Sequence, residues 1–499
     1  MTALSTVSSS QLPQGAKAPP VTTAAQTPTA PSQVTSSVKE KKKLGWKIIP
    51  IIVGILLLGL VGAYYFLFMR GGDAPAQPTP NPGGGQTLPN DDGTGSGSTS
   101  GQKVVLQYWG LWEPSEVIDD VLTEYTKTHP NVSIQYTKQS HLDYRTRLQS
   151  ALDTGNGPDI FRYHATWVPM LSDDLSALPS GVMSTSEFQS TFYPVASQQL
   201  QLNGSIVGIP LMYEGLALFY NKDALATAVV QPPATWGEVR EAAKRLTIME
   251  GGTIKRAGIA MGYTSNIDHY SDVLALLALQ NGADLSKPNS REMTDALTFY
   301  AMFAKENVWS EALPRSTVAF ARGDVAMIFA PSWRAHEIKL MNPSLKFATM
   351  PVPQLDPNKK ITWASYWAEG VATKSKYQKE SWEFLKYLSS KEVQQKLYSD
   401  QAQTRSFGEM YSRVDLANEV AADEVVGAFM ADAPHAKGWY MSSYTHDGGI
   451  NEEIIKYVQD AIGGIRQGSN TQGVVDTLAA GIGQVLGKYG VPAASTSQN

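Results

Sequence analysis

Three acidic residues are the first candidates for chemistry in this chain. Glu113 follows a strand-like segment, Glu214 lies between two strand-like segments, and Glu369 closely follows the aromatic pair at 366–367. Two positioned carboxylates are the usual machinery for hydrolysing a glycosidic bond. The sequence does not reveal the distance between these carboxylates, so it leaves a glycoside hydrolase possible.

Other catalytic and metal-binding patterns are absent from the sequence. It contains no nucleophile elbow, no HExxH motif and no Walker motif, and His336-Glu337 is followed by Ile-Lys-Leu. Cysteine is absent, which excludes disulfides, thiolate zinc sites, cysteine nucleophiles and a lipid-modified cysteine anchor. The seven histidines show no metal-ligand spacing. We therefore expect no metal, no cofactor and no catalysis.

Aromatic side chains offer a different chemistry, that of binding. Trp112 and Glu113 follow the strand-like stretch 103–109, and loops at the carboxyl ends of strands are where α/β sheets place ligands. Flat rings can stack on the apolar C–H faces of a sugar while polar groups bind its hydroxyls. Trp109 is as much a core candidate as a site candidate. Three further tryptophans occupy helical positions and are predicted to lie in the core: Trp236, Trp309 and Trp382.

The elements that would position these residues alternate between strand and helix. KVVLQYW (103–109) reads as a buried strand, and Ser115 suits the N-cap of a following helix. That helix has Val117, Ile118, Val121, Leu122 and Tyr125 on one face. A second strand (131–136), a helix ending at Gly155 and the pair Ile160-Phe161 follow. The order predicts an α/β sheet with helices on its faces.

The amino-terminal hundred residues differ in composition from the rest. Ile48 to Met69 is uncharged over 22 residues, and as a helix it would span about 33 Å, enough for a bilayer core. Five lysines precede it and only Arg70 follows closely, so the positive-inside rule places residues 71–499 outside the cell. We predict a retained single-pass anchor at 46–70. The alternative is a cleaved signal with Ala74-Pro75-Ala76 as its cleavage site.

The segments beside the predicted anchor have the composition of unfolded chain. Residues 1–45 lack aromatic residues and are predicted to form a disordered cytoplasmic tail. Residues 71–102 contain nine glycines and five prolines and are predicted to be a flexible linker. Residues 491–499 are predicted to be a disordered tail. The folded body is therefore expected at 103–490.

Length and charge limit the remaining possibilities. A chain of 499 residues suggests more than one folded unit. The net charge is −5, and residues 1–102 carry seven basic against four acidic residues, so the body is acidic. A mildly acidic body without a basic stripe argues against nucleic acid as a partner.

Six stretches of the body resemble a known family. They match, in order and spacing, the extracellular solute-binding proteins of ABC importers, in the carbohydrate-binding family similar to maltose-binding protein. The stretches are KVVLQYWGLWEP (103–114), GNGPDIFRYHATW (155–167), GIPLMYEGLALFYNKDAL (208–225), PPATWGEVREAAKRLT (232–247), ARGDVAMIFAPSWR (321–334) and WASYWAEGVATKSKYQKESWEFLKYLSS (363–390). Together they extend over most of residues 103–490.

The resemblance implies a two-lobed α/β fold of the periplasmic-binding-protein type, with solute bound in a cleft between the lobes. The uncharged run described above adds one transmembrane helix before this fold. Carried onto this chain, the first lobe would take residues 103–214 and 320–370. The second lobe would take residues 215–319 and 371–490. The chain would cross between the lobes more than once.

The resemblance also implies a set of cleft residues. Glu214 matches an acidic ligand of sugar hydroxyls, and Trp333 stands where the family has a stacking tryptophan. Thr166 and Trp167 stand where maltodextrin binders have an acid and an arginine, which puts maltose itself in doubt. The full set of expected ligand contacts is Trp112, Glu113, Tyr163, His164, Trp167, Tyr213, Glu214, Trp333, Arg334, Tyr366, Trp367, Glu369, Trp439 and Tyr444.

The function that the resemblance implies is capture of a sugar or oligosaccharide and its delivery to the permease subunits of an ABC importer. The partners would be that solute, the permease and the membrane through residues 48–69, with the binding domain outside the cell. The alternatives are an exported glycan-active enzyme, and a surface sugar sensor or adhesin that uses the same cleft without transport.

Overall fold

The computed structural model describes residues 103–492. The predicted cytoplasmic tail (1–45), anchor (46–70) and linker (71–102) lie outside these residues, as does most of the predicted tail 491–499. Among the helices of residues 103–492, none combines the length and the apolar character needed to cross a bilayer.

Thirteen strands occur in the described residues. They are β1 (Val104–Gly110), β2 (Val132–Lys138), β3 (Ile160–His164), β4 (Gln201–Leu202), β5 (Ser205–Ile206), β6 (Ala217–Asn221), β7 (Ile248–Glu250), β8 (Thr253–Ile259), β9 (Val325–Ala330), β10 (Phe347–Met350), β11 (Thr362–Trp363), β12 (Trp367–Val371) and β13 (Ala436–Lys437). The first sheet has four strands in the order β12-β3-β1-β2. Strand β1 pairs in parallel with both β2 and β3, and β12 pairs antiparallel with β3.

The second sheet has five strands in the order β10-β6-β9-β8-β7. Only the β8–β9 pair is parallel, and every residue of the central strand β9 is buried. Two short sheets complete the molecule, a β4–β5 hairpin and a parallel β11–β13 pair.

Fifteen helices of the described residues cover the sheets. They are α1 (Ser115–Thr128), α2 (Tyr144–Asp153), α3 (Thr185–Thr191), α4 (Pro194–Gln199), α5 (Lys222–Ala228), α6 (Trp236–Leu246), α7 (Tyr270–Gln280), α8 (Arg291–Lys305), α9 (Ser316–Arg322), α10 (Arg334–Met341), α11 (Gln378–Leu388), α12 (Lys391–Ala402), α13 (Val426–Asp432), α14 (Ile450–Gln467) and α15 (Thr471–Lys488). Short 3-10 turns cover Ala165–Leu171, Val414–Glu419 and Ala433–His435.

Local sequence signals explain several of these elements. The five apolar residues predicted to share one face of α1 are all buried, although Pro114 rather than Ser115 is the N-cap residue. Helix α6 starts at the predicted capping box, in which Thr235 and Glu238 each bind the other's backbone N–H. The tryptophans predicted for the core are buried: Trp236, Trp309 and Trp382.

Each sheet defines one lobe, and the strand pairings correct the predicted boundaries. Strands β9 and β10 pair with β6 in the second sheet, whereas we expected residues 320–370 in the first lobe. Helices α11 and α12 pack on the first lobe through α1, whereas we expected residues from 371 in the second. The resemblance gave the alternation between lobes but not its positions, because pairing of strands so far apart in sequence is decided only in three dimensions.

The chain segments that cross between the lobes lie side by side. Gly215 and Ala364 form an antiparallel bridge, and the N–H of Ala364 donates to the carbonyl of Lys437 (2.8 Å). Gly215 is required here, since a Cβ at this position would lie 2.4 Å from the carbonyl oxygen of Trp363. These paired crossings form the floor between the two sheets.

Candidate functional site

A cavity of about 500 Å³ is lined by residues of both lobes and of the crossing segments. Its size falls within the range of small-molecule sites. Seven of the fourteen predicted contacts line it: Trp112, His164, Glu214, Trp333, Arg334, Trp367 and Tyr444.

The first-lobe wall is built at one edge of the first sheet. Trp112 follows the carboxyl end of β1, His141 follows β2, and His164 ends β3. Trp367 reaches the same edge because it begins the antiparallel strand β12 and lies opposite His164. The parallel topology therefore gathers residues distant in sequence into one surface.

Aromatic contacts fix the rings of this first wall. The Trp367 ring meets Trp112 edge-on at a centroid distance of 5.6 Å and meets His164 at 5.2 Å. Trp167 supports Trp367 from within the lobe at 5.0 Å and has no exposed surface. Edge-to-face packing of this kind holds rings in one orientation and leaves Trp112 and Trp367 half-buried at the cavity.

His164 is uncharged at neutral pH. Burial lowers the pKa of its imidazole to about 3. Its Nδ1 accepts the backbone N–H of Thr166 (3.3 Å), so the proton of the neutral ring lies on Nε2, which is 3.2 Å from the hydroxyl of Ser365. The first wall thus presents a neutral polar edge among its aromatic rings.

The second-lobe wall centres on a stacked arginine. The guanidinium carbon of Arg334 lies 4.1 Å from the Trp333 ring centroid and 4.5 Å from that of Tyr444. Arg334 also donates from Nη1 to Glu337 (2.6 Å) and from Nε to His269 Nε2 (3.1 Å). Because a guanidinium only donates, this nitrogen of His269 must be unprotonated. Burial lowers the pKa of His269 as well.

Glu214 lies on the floor, at the first crossing. Its carboxylate accepts the backbone N–H of Gly215 (2.9 Å) and of Ser332 (3.0 Å), and the Ser332 hydroxyl (2.6 Å). It therefore ties the crossing segment to the residue before Trp333. Burial is the largest influence on this group and raises its pKa to about 7.

Two ion pairs line the cavity, while Glu214 and Asp272 accept hydrogen bonds from neutral donors. On the second lobe Arg334 pairs with Glu337, and on the first lobe Arg405 pairs with Glu409 at 2.9 Å. Asp272 accepts the indole N–H of Trp363 (2.8 Å) on the floor. Paired charges and neutral imidazoles suit a ligand that is polar but uncharged. Within residues 103–492, no three His, Asp or Glu side chains are grouped as metal ligands.

Two predicted acidic contacts belong instead to a buried ion cluster. Glu113 and Glu369 both pair with Arg162, at 2.8 and 2.6 Å, inside the first lobe. The sequence suggested ligand contacts because both acids are close to aromatic residues at strand ends. Glu369 lies two residues from Trp367 on the same face of β12, and it is fully buried beneath the cavity wall. The internal arginine compensates the charge of both acids.

Five further predicted contacts do not line the cleft. Tyr163, Trp167, Tyr213 and Tyr366 are buried in the core, and Tyr163 donates its hydroxyl to the carbonyl of Val207. Trp439 is half-buried and packs on Tyr440. Some aromatic residues of these stretches line the cavity and others pack in the core. The sequence does not reveal to which of the two places each side chain points.

The sequence analysis missed several residues that line the cleft. His141 had a signal, since it follows the carboxyl end of a predicted strand. Arg405 and Glu409 had none, because they come from the loop after helix α12. The others are Met212, Gly215, Leu216, His269, Asp272, Pro331, Glu337, Ser365, Ser443 and His446, together with Trp363, which we had considered a packing residue.

Two α/β lobes joined by paired crossing segments, with a ligand-sized cavity between them, are the architecture of a two-lobed binding protein. Comparison with known proteins gives its family. The profile of the bacterial extracellular solute-binding proteins matches residues 120–424. The chain therefore belongs to that family.

Individual relatives have low sequence identity to this chain but align with much of its length. The chain is 22% identical over 350 residues to a maltotriose-binding protein of Pyrococcus abyssi, covering 67% of this chain and 72% of the relative. It is also 22% identical over 315 residues to a multiple sugar-binding protein of Streptococcus mutans, covering 59% and 73% of the two chains.

Solved structures share the fold. A cyclo/maltodextrin-binding protein in complex with maltotetraose has a TM-score of 0.65 at 17% identity, with 78% of this chain and 99% of that chain covered. The sugar-binding protein MalE of Xanthomonas citri has a TM-score of 0.64 at 20% identity, with 77% and 98% covered. The two-lobed fold implied by the resemblance is confirmed.

Proposed function

We propose that this protein is a membrane-anchored receptor that captures an uncharged sugar or oligosaccharide between its lobes and delivers it to the permease of an ABC importer. Capture proceeds by closure of the lobes, which the ligand drives through its higher affinity for the closed form. No covalent chemistry is required.

The observation that carries this proposal is the pair of aromatic walls that face one cavity. Trp112 and Trp367 stand on the first lobe, and Trp333 and Tyr444 stand on the second. Rings on both sides suit the two apolar faces of a pyranose, and the surrounding carboxylates and guanidinium groups suit its hydroxyls. The names of the two relatives, which bind maltotriose and multiple sugars, support the same ligand class.

The placement of the acids weakens the hydrolase alternative. Of the three acids considered for that role, Glu113 and Glu369 are paired with Arg162 in the first lobe, and only Glu214 lines the cleft. The other acids of the cleft are also engaged: Glu337 pairs with Arg334, Glu409 pairs with Arg405, and Asp272 accepts the indole N–H of Trp363. Glu214 itself is engaged by three donors. A general acid and its partner carboxylate would both have to face the ligand.

The membrane anchor is proposed from the sequence alone, and the permease is proposed from the family alone. The uncharged stretch 48–69 and the lysines before it support a tether that leaves the receptor outside the cell. A tether would raise the concentration of receptor beside the permease.

The direct test is ligand binding to the full chain in detergent. Neutral sugars, including maltotriose, are first screened by thermal shift, because a ligand that binds only the native state raises the melting temperature. Calorimetric titration then compares the unmodified chain with Trp333→Ala and with Trp109→Ala, a matched change at a half-buried tryptophan that does not line the cavity. We expect a loss of at least tenfold, about 1.4 kcal/mol, for Trp333→Ala only.

Three results would contradict the proposal. One is equal affinity for the unmodified chain and Trp333→Ala. Another is binding of peptides or charged solutes in place of every neutral sugar. The third is hydrolysis of a glycoside by the purified chain, which would support the enzyme reading instead.

A further inference from the structure

The loop 438–449 contacts both lobes at the mouth of the cleft. On the second-lobe side, the hydroxyl of Tyr444 donates to Asp268 at 2.6 Å. On the first-lobe side, the carbonyl of Asp447 accepts Arg145 Nε at 2.6 Å. We call residues 438–449 the latch loop, since they contact the two lobes at different points.

A pair of histidines faces each other where the latch loop meets the first lobe. His141 comes from the segment after β2, and His446 comes from the latch loop. Their ring centroids are 5.1 Å apart, both rings are half-buried, and both line the cavity. Trp112 packs on His141 at 5.6 Å. The pair is therefore continuous with the aromatic wall that faces the ligand.

The backbone of the latch loop is strained at the residues that make these contacts. Tyr444 has φ +59° and His446 has φ +51°, both in the left-handed region. Non-glycine residues persist there only where their surroundings hold them, and such positions concentrate in segments that switch. The loop conformation thus depends on the contacts of Tyr444 and His446 with the lobes.

We propose that the latch loop holds the lobes closed through the His141–His446 and Arg145–Asp447 contacts, and that protonation of His141 at this contact opens the loop and weakens ligand retention. The inference rests on the proposed function for its ligand, but the latch itself can be observed without one. His141, His446 and Arg145 are then positioning residues that determine affinity through closure.

The charges around His141 disfavour its protonated form. Arg147 donates to the carbonyls of Ser140 and Leu142 on either side of His141, and Arg145 donates to the carbonyl of Asp447, next to His446. The Asp447 carboxylate is turned to the start of α14, where it accepts the N–H of Asn451 (2.9 Å). Asp143 is exposed. A cation at His141 would therefore lie close to two guanidinium groups.

The pH range in which the latch loop should open follows from the ordinary pKa of histidine. Burial, and in second place His446, lowers the pKa of His141. The closed form then binds fewer protons than the open form, so closure is favoured above an ordinary histidine pKa of about 6.5 and is lost as pH falls below it. His164 and His336, with pKa values of about 3 and 4, remain neutral at pH 5.5. His269 also contacts the latch loop, since its Nδ1 lies 2.8 Å from the Ser443 hydroxyl, and burial lowers its pKa as well. A variant that keeps His269 but lacks His141 and His446 separates the two sources of a pH response.

The test measures lobe closure directly. The chain has no cysteine, so Lys138→Cys on the first lobe and Ala312→Cys on the second accept two spin labels without background. Distances between the labels are recorded by double electron–electron resonance in the full chain without sugar, at pH 7.5 and 5.5. The same labels are placed in a variant with His141→Gln and His446→Gln, and in His435→Gln as a matched change at an exposed histidine.

We expect longer distances at pH 5.5 in the unmodified and His435→Gln chains, and no pH response in the double variant. Unchanged distances in the unmodified chain, or the same lengthening in the double variant, would overturn the latch. Maltotriose is the binding probe, and we expect its affinity to fall at least fivefold more between these pH values in the unmodified chain than in the double variant. Absence of maltotriose binding would count against the proposed ligand, while the distances would still decide the latch. Melting curves at both pH values confirm that each variant is folded.

Discussion

Replacement of Glu214 by glutamine should stabilise the fold and impair its function at once. The carboxylate is buried, and burial raises its pKa from 4.5 to about 7. The change removes the charge while keeping the shape. The amide oxygen can accept the N–H groups of Gly215 and Ser332, and the amide NH₂ can donate to the Ser332 hydroxyl, so no buried group loses its partner.

The expected gain follows from the linkage between proton binding and folding. The unfolded carboxyl ionises near pH 4.5 and the folded one near pH 7, so between these values the folded state binds more protons and its stability falls as pH rises. A shift of this size corresponds to about 3 kcal/mol as an upper limit. Glutamine has no proton to lose. The variant should therefore match the unmodified chain at pH 4 and exceed its stability at pH 8.

The assay is urea unfolding of the full chain at pH 4, 6 and 8, combined with sugar titration. Asp432→Asn is the matched control, because burial also raises the pKa of Asp432 to about 7 but this residue does not line the cleft. Both variants should gain stability at pH 8, and only Glu214→Gln should lose affinity. An equal stability difference at all three pH values would refute the linkage, and unchanged affinity would refute Glu214 as a ligand contact.

Further predictions concern the interior of each lobe and the overall shape. Arg162→Met should cost about 3–5 kcal/mol in urea unfolding because it leaves two buried carboxylates without a cation, whereas Lys222→Met, which breaks an exposed pair, should leave the free energy of unfolding nearly unchanged. A similar loss of stability in both variants would contradict the burial of the Arg162 cluster. Asp268→Ala should reduce sugar affinity at least tenfold, since Tyr444 loses its 2.6 Å hydrogen bond, and an unchanged titration would show that Tyr444 is positioned without it. Small-angle scattering should show a smaller radius of gyration when the bound sugar is present, and an unchanged radius would argue against lobe closure.

Local sequence patterns predicted the elements well. The capping box at Thr235 and the apolar face of α1 depend on residues three or four positions apart, so the chain itself supplies the whole interaction. The resemblance added the fold family, which the comparisons confirm. Neither the local patterns nor the resemblance required knowledge of which distant segments contact each other.

Half of the predicted contacts line the cleft. The other half do not, because their side chains point elsewhere in the folded lobes. Trp112 and Glu113 are adjacent in sequence, yet the ring faces the cavity and the carboxylate pairs with Arg162 inside the lobe. Successive residues point in different directions, and residue type does not reveal which direction is the cleft. For Glu113 and Glu369, the position of Arg162 inside the lobe made the difference, and that position depends on the tertiary structure.

The sequence by itself determined the helices, the strands, the supply of aromatic and acidic side chains and the family of the fold. Tertiary structure alone decided which sheet receives β9 and β10, which acids meet Arg162, and that His141 and His446 face each other from segments about 300 residues apart. Short-range interactions depend only on residues that are close together in the sequence. Contacts between distant segments exist only once strand pairing and the crossings between the lobes have brought those segments together.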